Sequence, residues 1–429
     1  MTGLIPMAFI IGAEGVSAAF HDGGVGPCEG CHTMHNSYQG APVNGQPTPQ
    51  AYLLRNQDPS SLCLNCHEHA GDTGPTTYHV STPRAELLAG MPPKQLTPGG
   101  DFGWLRKTYG WLTGPTQPMK YSYGDRHGHN IVAADFSYAA DSTNITAPGG
   151  FYPASGLSCT SCHDPHGRYR RNADGSITTS GRPIATSGSF ASSPDPSSTM
   201  SVGVYRMLGG KGYQPRSPTG GVVFVNDPPA AVAPNKPNRS EDTTQTRVAY
   251  GSGMSEWCTN CHPNMHTPAY PGRTNLLHAS GNNAKLGVKW MNNYYKYINT
   301  GTILSSPSST PYLSLVPFEE GNSDYATLKA HARTDDSYLD GPNSTAQVMC
   351  LSCHRAHASG WDGIMRWNAE TDFIVSNGFY SQQGQAYQIY GQGRTEIEAK
   401  AAYYNKPATT FSLNQNTLCN KCHIGDYTP

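Results

Sequence analysis

The stretch Cys28-Glu29-Gly30-Cys31-His32 decides how this chain folds, because its pattern Cys-x-x-Cys-His recurs along the sequence. Five further copies begin at Cys63, Cys159, Cys258, Cys350 and Cys419, and the copies together use all 12 cysteines. Two thiols at this spacing can add to the vinyl groups of one porphyrin, and the adjacent imidazole then binds the iron. The pattern predicts six covalently attached haem c groups.

These motifs assign the covalent and proximal ligands directly. The predicted thioether residues are Cys28, Cys31, Cys63, Cys66, Cys159, Cys162, Cys258, Cys261, Cys350, Cys353, Cys419 and Cys422. The predicted proximal iron ligands are His32, His67, His163, His262, His354 and His423. Zinc sites and redox disulfides also use Cys-x-x-Cys, but neither chemistry needs a histidine after every second cysteine.

The remaining histidines supply enough second axial ligands for every iron. The chain has 17 histidines, so the six proximal ones leave 11. Methionine is the other common distal ligand, but it typically serves single high-potential cytochromes. The histidine surplus therefore favours bis-histidine iron throughout.

A finer period follows the odd-numbered motifs, which continue as CHTMH, CHDPH and CHRAH and so place His35, His166 and His357 three residues beyond the proximal ligand. A histidine tethered that closely cannot reach the distal face of its own haem. It can bind only a neighbouring iron, which suggests a two-haem unit repeated three times. His166 and His357 are expected to reach irons of the preceding pairs. His35 has no preceding pair, so it is either surplus or binds the last odd haem of another copy, which would build an open head-to-tail filament.

For the even-numbered haems, the sequence offers isolated histidines in the spacers. The predicted distal ligands are His129, His278 and His331, with His79 and His21 in reserve. His69, His127 and His266 are predicted not to bind iron.

Composition predicts a multihaem cytochrome c fold that is mostly irregular and loop-rich, with short helices and very little strand, wrapped around stacked haems. Only 36% of the residues are hydrophobic, while 47 glycines and 34 prolines favour turns. Haem, a large apolar body, is expected to replace the missing apolar side chains. We expect short helices at some haem motifs and around Glu396 to Tyr404, and a brief strand at Val222 to Val225.

The spacers between motifs hold 30, 91, 94, 87 and 64 residues, so the haems are spread along one chain. We therefore expect a single elongated domain over residues 20–429. Residues 1–19 are predicted to be a signal peptide cleaved after Ala19 or Ala18, although the usual basic start is missing. Nothing later approaches the length of a membrane span. A formal net charge of −1 gives no basic face for nucleic acid.

Several segments that extend well beyond the haem motifs resemble one known family. They include FHDGGVGPCEGCHTMHNS, TPGGDFGW, TQTRVAYGSGMSEWC and YLSLVPFEEG, within a region from about Phe20 to His423. The resemblance is to the OmcS family of hexahaem outer-surface cytochromes, which polymerise into extracellular nanowires. It implies bis-histidine haems in a continuous stack, and an inter-subunit ligand that falls on His35. His127 has no family counterpart.

The function expected from these observations is extracellular long-range electron transfer to acceptors such as ferric oxides, electrodes or partner cells, with other cytochromes as redox partners and with no enzymatic activity. Two alternatives remain at this point. One is a monomeric periplasmic electron shuttle, and the other is a multihaem reductase of the nitrite or hydroxylamine type, which would need an open iron position.

Overall fold

The computed structural model describes residues 28–33, 35, 37–38, 41–42, 51–71, 78–216, 221–235, 240–266, 278–297, 306–380 and 389–423. The predicted signal peptide at residues 1–19 and the reserve ligand His21 lie outside the described residues.

The helices are short, and those in the described part of the chain span four to nine residues. They are α1 Cys28–Cys31, α2 Pro59–His67, α3 Met254–Cys258, α4 Pro263–His266, α5 Val288–Lys296, α6 Tyr325–His331, α7 Cys350–Cys353 and α8 Glu396–Ala402. Turns of 3₁₀ helix lie at Ala51–Leu53, Arg84–Glu86, Phe102–Arg106, Gly124–Arg126, Ala134–Phe136, Ala154–Gly156, Cys159–Ser161, Tyr205–Met207, Asp362–Ile364, Ala408–Thr410 and Leu418–Lys421. Each of the six haem motifs overlaps or directly adjoins one of these helical segments.

Local sequence explains where the longer helices begin. Asp58 caps α2 by accepting the Ser61 N–H at 2.8 Å, and Pro59 fits the first helical position because its missing N–H would have no partner there. Thr395 and Glu398 form a reciprocal capping box at the start of α8. The helix predicted near Glu396 is therefore confirmed, and it ends at Ala402.

The described strands are short and form sheets of two or three strands. They are β1 Ser37–Tyr38, β2 Ala41–Pro42, β3 Tyr109–Trp111, β4 Lys120–Ser122, β5 Arg170–Arg171, β6 Ile177–Thr178, β7 Val202–Gly203, β8 Ala230–Val232, β9 Ala249–Ser252, β10 Phe373–Val375 and β11 Gln415–Asn416. The described strands pair with one another in antiparallel fashion, isolated bridges of both directions occur outside them, and the largest sheet has three strands in the order β6-β5-β7.

The strand predicted at Val222 to Val225 is wrong. Phe224 there exchanges single backbone hydrogen bonds with Tyr213 and Gly212, and Val223 and Val225 are more than half exposed. The run Val222-Val223-Phe224-Val225 has the composition of a strand, but no partner strand lies alongside it in the described part of the chain.

Aromatic rings fill much of the protein core. The largest cluster joins Trp104, Tyr294, Trp361, Trp367 and Tyr403, and it combines two residues of the N-terminal part of the chain, Trp104 and Tyr109, with residues between Leu286 and Leu418. Four smaller clusters are separate from it. The predicted loop-rich fold is confirmed, with the buried apolar groups of the described residues divided between one large cluster and four smaller ones. No helix in the described ranges has the length and apolar character needed to cross a bilayer.

Candidate haem sites

The three odd-numbered haem motifs share one backbone arrangement. In each, a returning segment places a residue with left-handed φ beside the motif: Tyr52 (62°), Arg206 (52°) and Gly363 (67°). The carbonyl oxygen of that residue accepts a hydrogen bond from Nδ1 of the proximal histidine, at 2.9 Å for His32, 2.7 Å for His163 and 2.8 Å for His354. Because Nδ1 is engaged, Nε2 of each imidazole is the nitrogen left to bind iron.

Backbone hydrogen bonds fix the returning segment in the same way at all three motifs. At the third motif, the Asp164 N–H donates to the Met207 carbonyl at 2.8 Å, and the Gly209 N–H donates to the Cys162 carbonyl at 2.9 Å. The matching bonds occur at the first motif (Thr33 to Leu53 and Arg55 to Cys31) and at the fifth (Arg355 to Ile364 and Arg366 to Cys353). The number of residues between the motif and its returning segment differs widely among the three sites. The sequence therefore did not reveal this repeat. Its only sequence signal is the similarity of Leu53-Leu54, Met207-Leu208 and Ile364-Met365.

Four predicted distal histidines face a proximal histidine at one common spacing. An iron bound to two imidazole nitrogens at about 2 Å each holds the ring centres roughly 6 Å apart. The ring centres are 6.3 Å apart for His166 and His32, 6.3 Å for His357 and His163, 6.1 Å for His129 and His262, and 5.9 Å for His278 and His423. The residues present therefore fit an iron between each pair.

The environment of these imidazoles suits metal binding, which requires the neutral form. Burial is the main cause that lowers the pKa of His129 to about 4 and that of His357 to about 3, and the facing imidazole adds to it in both cases. His129 Nδ1 donates to the Ala356 carbonyl at 2.7 Å, and the His129 N–H donates to the His357 carbonyl at 2.9 Å. His129, predicted as a distal ligand of an even-numbered haem, thus faces the fourth motif and is held by the motif of the fifth.

Histidines outside these pairs have other surroundings. His331 Nδ1 lies 2.6 Å from the Glu320 carboxylate, and its ring stacks on Tyr338 with centres 3.9 Å apart. Among the described residues, this geometry brings His331 to none of the proximal imidazoles, and its predicted role as a ligand gains no support. His127 is fully buried, with Nε2 2.7 Å from Ser122 Oγ and Nδ1 3.0 Å from the Trp104 carbonyl oxygen. Both of its nitrogens are therefore engaged.

Contacts between motifs place the second haem motif beside the third and the fourth beside the fifth. Cys63 of the second motif lies beside Cys159 of the third, and Cys258 of the fourth lies beside Cys350 of the fifth. Each contact is supported by a serine three residues before the even motif. Ser60 Oγ accepts the Cys159 N–H at 3.2 Å, and Ser255 Oγ accepts the Cys350 N–H at 3.0 Å. The second and fourth motifs therefore each pack against the next odd one.

The first haem motif is exposed at positions where the third and fifth motifs are buried. The residue before the second cysteine is buried in the third motif (Ser161) and in the fifth (Ser352), whereas Gly30 is exposed in the first. None of the residues of α1 is buried, and His35 is exposed. Among the described residues, none places an imidazole ring against that of His354.

A cleft beside the fifth motif carries buried positive charge. Arg355 and Arg366 line it together with Tyr250, Tyr312 and Tyr404, and its lining also includes Glu241, whose carboxylate pairs with Lys406 at 2.8 Å. The Arg355 guanidinium lies 3.4 Å from the centre of the Tyr404 ring, and its buried Nε has no hydrogen-bond partner. A buried guanidinium with a free N–H fits a carboxylate, and haem carries two carboxylates as propionates. Arg355 and Arg366 are thus candidates to hold a propionate of a nearby haem.

Comparisons with known proteins show which family the chain belongs to. No protein-family model matches the chain. The chain is 53% identical over 416 residues to the c-type cytochrome OmcS of Geobacter sulfurreducens, covering 95% of this chain and 94% of that protein. It also matches two solved structures of OmcS filaments from that organism, one of them described as nanowires determined by cryo-EM. The TM-scores are 0.87 and 0.86, at 52% identity, over 95% of this chain and 100% of each solved chain. The resemblance found in the sequence is confirmed, and the chain belongs to the OmcS family of c-type cytochromes.

Proposed function

We propose that this protein is an outer-surface cytochrome that carries six bis-histidine haem c groups and polymerises head-to-tail into an electron-conducting filament. Electrons from redox partner cytochromes pass along the haems to external acceptors such as ferric oxides, electrodes or partner cells. The chain is an electron carrier and not an enzyme. The observation that carries the proposal is the pairing of His166 with His32 and of His357 with His163 at 6.3 Å.

Those two pairs are successive steps of one repeat. The extra histidine of the third motif reaches the first haem site, and the extra histidine of the fifth motif reaches the third site. The next step of the same repeat requires an extra histidine at the fifth site, His354. Within one copy the sequence provides none, whereas His35 of the first motif has no earlier odd site to reach. His35 of one subunit therefore binds the fifth haem of its neighbour.

The contacts between motifs support the same junction. The second and fourth motifs each cover the following odd motif, so the sixth motif is expected to cover the first motif of the next copy. Asn416 lies three residues before Cys419, as Ser60 and Ser255 lie three residues before their even motifs. At the junction, Asn416 would therefore lie opposite the Cys28 N–H of the next copy. The exposure of α1 in the single chain is what such a repeat predicts at its free end.

The even-numbered haems take isolated histidines. His129 serves the fourth haem and His278 the sixth, as their ring spacings support. Each of these ligands precedes the odd motif of its own two-haem unit in the chain. By the same order, the ligand of the second haem should precede the first motif. His21 does so, and it therefore serves the second haem in preference to His331 or His79.

Full axial coordination favours electron transfer over catalysis. An iron with two imidazole ligands needs little rearrangement when it changes oxidation state, and it offers no open position to a substrate. A reductase of the nitrite or hydroxylamine type would need at least one open iron. The proposed mature protein is a single domain over residues 20–429, secreted after removal of residues 1–19.

The substitution His35→Ala tests the filament. We expect the purified variant to remain monomeric by electron microscopy and light scattering, with one high-spin haem among six, since the fifth iron loses its donor. His69→Ala, which removes an exposed histidine predicted not to bind iron, serves as the matched control and should form normal filaments. If the His35 variant polymerises like the control, the proposed junction is wrong. If the unmodified protein stays monomeric when concentrated, the shuttle alternative holds.

A further inference from the structure

Two adjacent glutamates in the segment after Phe318 have opposite surroundings. Glu320 pairs with Arg247 at 3.1 Å and with His331 at 2.6 Å. Glu319 has no exposed surface, and its Oε1 accepts the Met254 N–H at 2.6 Å. Its Oε2 is buried and has no hydrogen-bond partner. A buried carboxylate with an unpaired oxygen is costly when ionised, so this site favours a bound proton.

Glu319 lies where the fourth and fifth haem motifs meet. Its Oε1 binds the first residue of α3, and Cys258 of the fourth motif ends that helix. Its backbone pairs with Gln347 through hydrogen bonds of 3.0 and 2.9 Å, and Gln347 closely precedes Cys350 of the fifth motif. Since Cys258 and Cys350 are themselves in contact, the carboxyl group is close to the attachment points of both haems.

The charges around Glu319 do not neutralise it. On α3, Glu256 faces it and adds repulsion, and from α7 it is faced by Cys350, which becomes an uncharged thioether in the haem-bound protein. From β9, Tyr250 forms a backbone β-bridge with Glu319. The cations of this region are already engaged: Arg247 and His331 bind Glu320, and Arg366 donates to backbone carbonyls. Burial is the main cause that raises the pKa of Glu319 to about 8, with Glu256 adding to it and the Met254 N–H opposing it.

We propose that Glu319 is a redox-linked proton site, which takes up one proton from solvent when the fourth or fifth haem is reduced and releases it when that haem is oxidised. This deepens the proposed function and rests on it. In the balanced step, a ferric haem gains one electron from the neighbouring haem and becomes ferrous, while the Glu319 carboxylate gains one proton and becomes a neutral carboxylic acid. No bond to iron forms or breaks.

The direction of the coupling follows from charge. An oxidised haem carries one more positive charge than a reduced one, so it favours the ionised carboxylate and lowers its proton affinity. Protonation of Glu319 in turn removes a negative charge and makes the haem easier to reduce. Glu319 has one pKa when the haem is oxidised and a higher one when the haem is reduced. At pH values between these two, the midpoint potential of that haem falls as pH rises. Outside this interval Glu319 contributes no pH dependence.

The test compares Glu319→Gln with unmodified filaments in potentiometric titrations monitored by haem absorbance, from pH 6 to pH 10. Glutamine matches the shape of the protonated side chain and cannot ionise. We expect one or two of the six midpoints to fall with pH in the unmodified protein and to become flat in the variant. Glu86→Gln, which changes an exposed carboxylate paired with Lys94, is the control and should retain the slope.

A second readout and a second variant guard against failure of the first variant to fold. Reduced-minus-oxidised infrared spectra should contain a protonated-carboxyl band that is absent from the Glu319 variant. Glu256→Gln removes the neighbouring repulsion and should shift the pH interval downward without abolishing it. If the slope and the band persist in the Glu319 variant, or if the Glu256 variant leaves the interval unmoved, the proposal is overturned. Filament formation and haem content report on the proposed function separately, because neither depends on this carboxyl group.

Discussion

The imidazoles of His163 and His357 face each other with their ring centres 6.3 Å apart. His163 follows the third Cys-x-x-Cys pair, and His357 follows the fifth, so the contact spans two haem-binding units. His357 is held in place by the Gly99 carbonyl, which accepts its backbone N–H at 2.7 Å. A remote motif thus brings a second imidazole to the third haem motif, and three segments of the chain meet at one site.

The first prediction concerns this pair. His357→Ala should convert one haem of six to a five-coordinate, high-spin state, because the third iron loses its distal imidazole. Electron paramagnetic resonance and the binding of carbon monoxide to the reduced protein measure this change. His69→Ala should leave all haems low-spin. If carbon monoxide binds no faster to the His357 variant than to the control, His357 is not the ligand.

The second prediction concerns the left-handed turn at the fifth site. Gly363 has φ of 67°, and an added Cβ would meet only Met365, so the cost of Gly363→Val comes from backbone strain and not from a clash. That cost is of order 1–3 kcal/mol. The strain also displaces the carbonyl that binds His354 Nδ1, so the midpoint potential of the fifth haem should shift.

The matched control for that turn is Gly175→Val. Gly175 has φ of 81° and equally open surroundings, but it lies in the turn between β5 and β6. It should lose comparable stability in chemical denaturation of the haem-loaded protein, without any change in haem potentials. Equal potential shifts in the two variants would contradict a role for the Gly363 carbonyl.

The third prediction concerns a buried ion pair between Lys107 and Glu398, whose charged atoms are 2.8 Å apart. Lys107→Met should destabilise the protein by roughly 3–5 kcal/mol, because a buried carboxylate loses its partner. The double variant with Glu398→Gln should recover much of this loss, since no charge then remains unpaired. Chemical denaturation of the haem-loaded protein at neutral pH measures both effects.

This pair also predicts a pH dependence. Burial alone would raise the pKa of Glu398, but the hydrogen bonds from Lys107 and Thr395 outweigh it and hold the pKa below its ordinary value of 4.5. A carboxyl group with a lowered pKa contributes stability that is fully present above 4.5 and is lost as pH falls through the folded-state value. The difference between the unmodified protein and Lys107→Met should therefore shrink in acid. A difference that grows below pH 4 would refute this assignment.

The fourth prediction concerns Arg355 in the cleft beside the fifth haem motif. Arg355→Gln should lower the midpoint potential of a nearby haem, because removal of a buried cation stabilises the oxidised form relative to the reduced form. Potentiometric titration measures the shift. Arg126→Gln changes a half-exposed guanidinium and should leave the potentials unchanged, since solvent screens it. An equal shift in the two variants would exclude the cleft as a propionate site.

The sequence predicted the covalent chemistry and the fold class because Cys-x-x-Cys-His is a local pattern with one strong chemical meaning. It also predicted which histidines after the odd motifs would leave their own site, since that argument needs only the length of the tether. It could not choose among isolated histidines such as His129 and His331, because their partners are fixed by long-range packing. The left-handed turns were missed for the same reason. Tyr52 and Arg206 adopt a conformation that their residue types disfavour, and only the surrounding hydrogen bonds require it.

The shared turn at Tyr52, Arg206 and Gly363 has a consequence for how such chains arise. A unit that begins with an odd motif and ends with an even one carries its own return segment and presents the same two faces to whatever precedes and follows it. Lengthening the polypeptide by duplicating such a unit would therefore need no new surface. A gene that encodes two or four of these units should yield a subunit able to join the existing polymer. The length of the haem chain in the filament would then depend on how many two-haem units are available and not on the length of any one polypeptide.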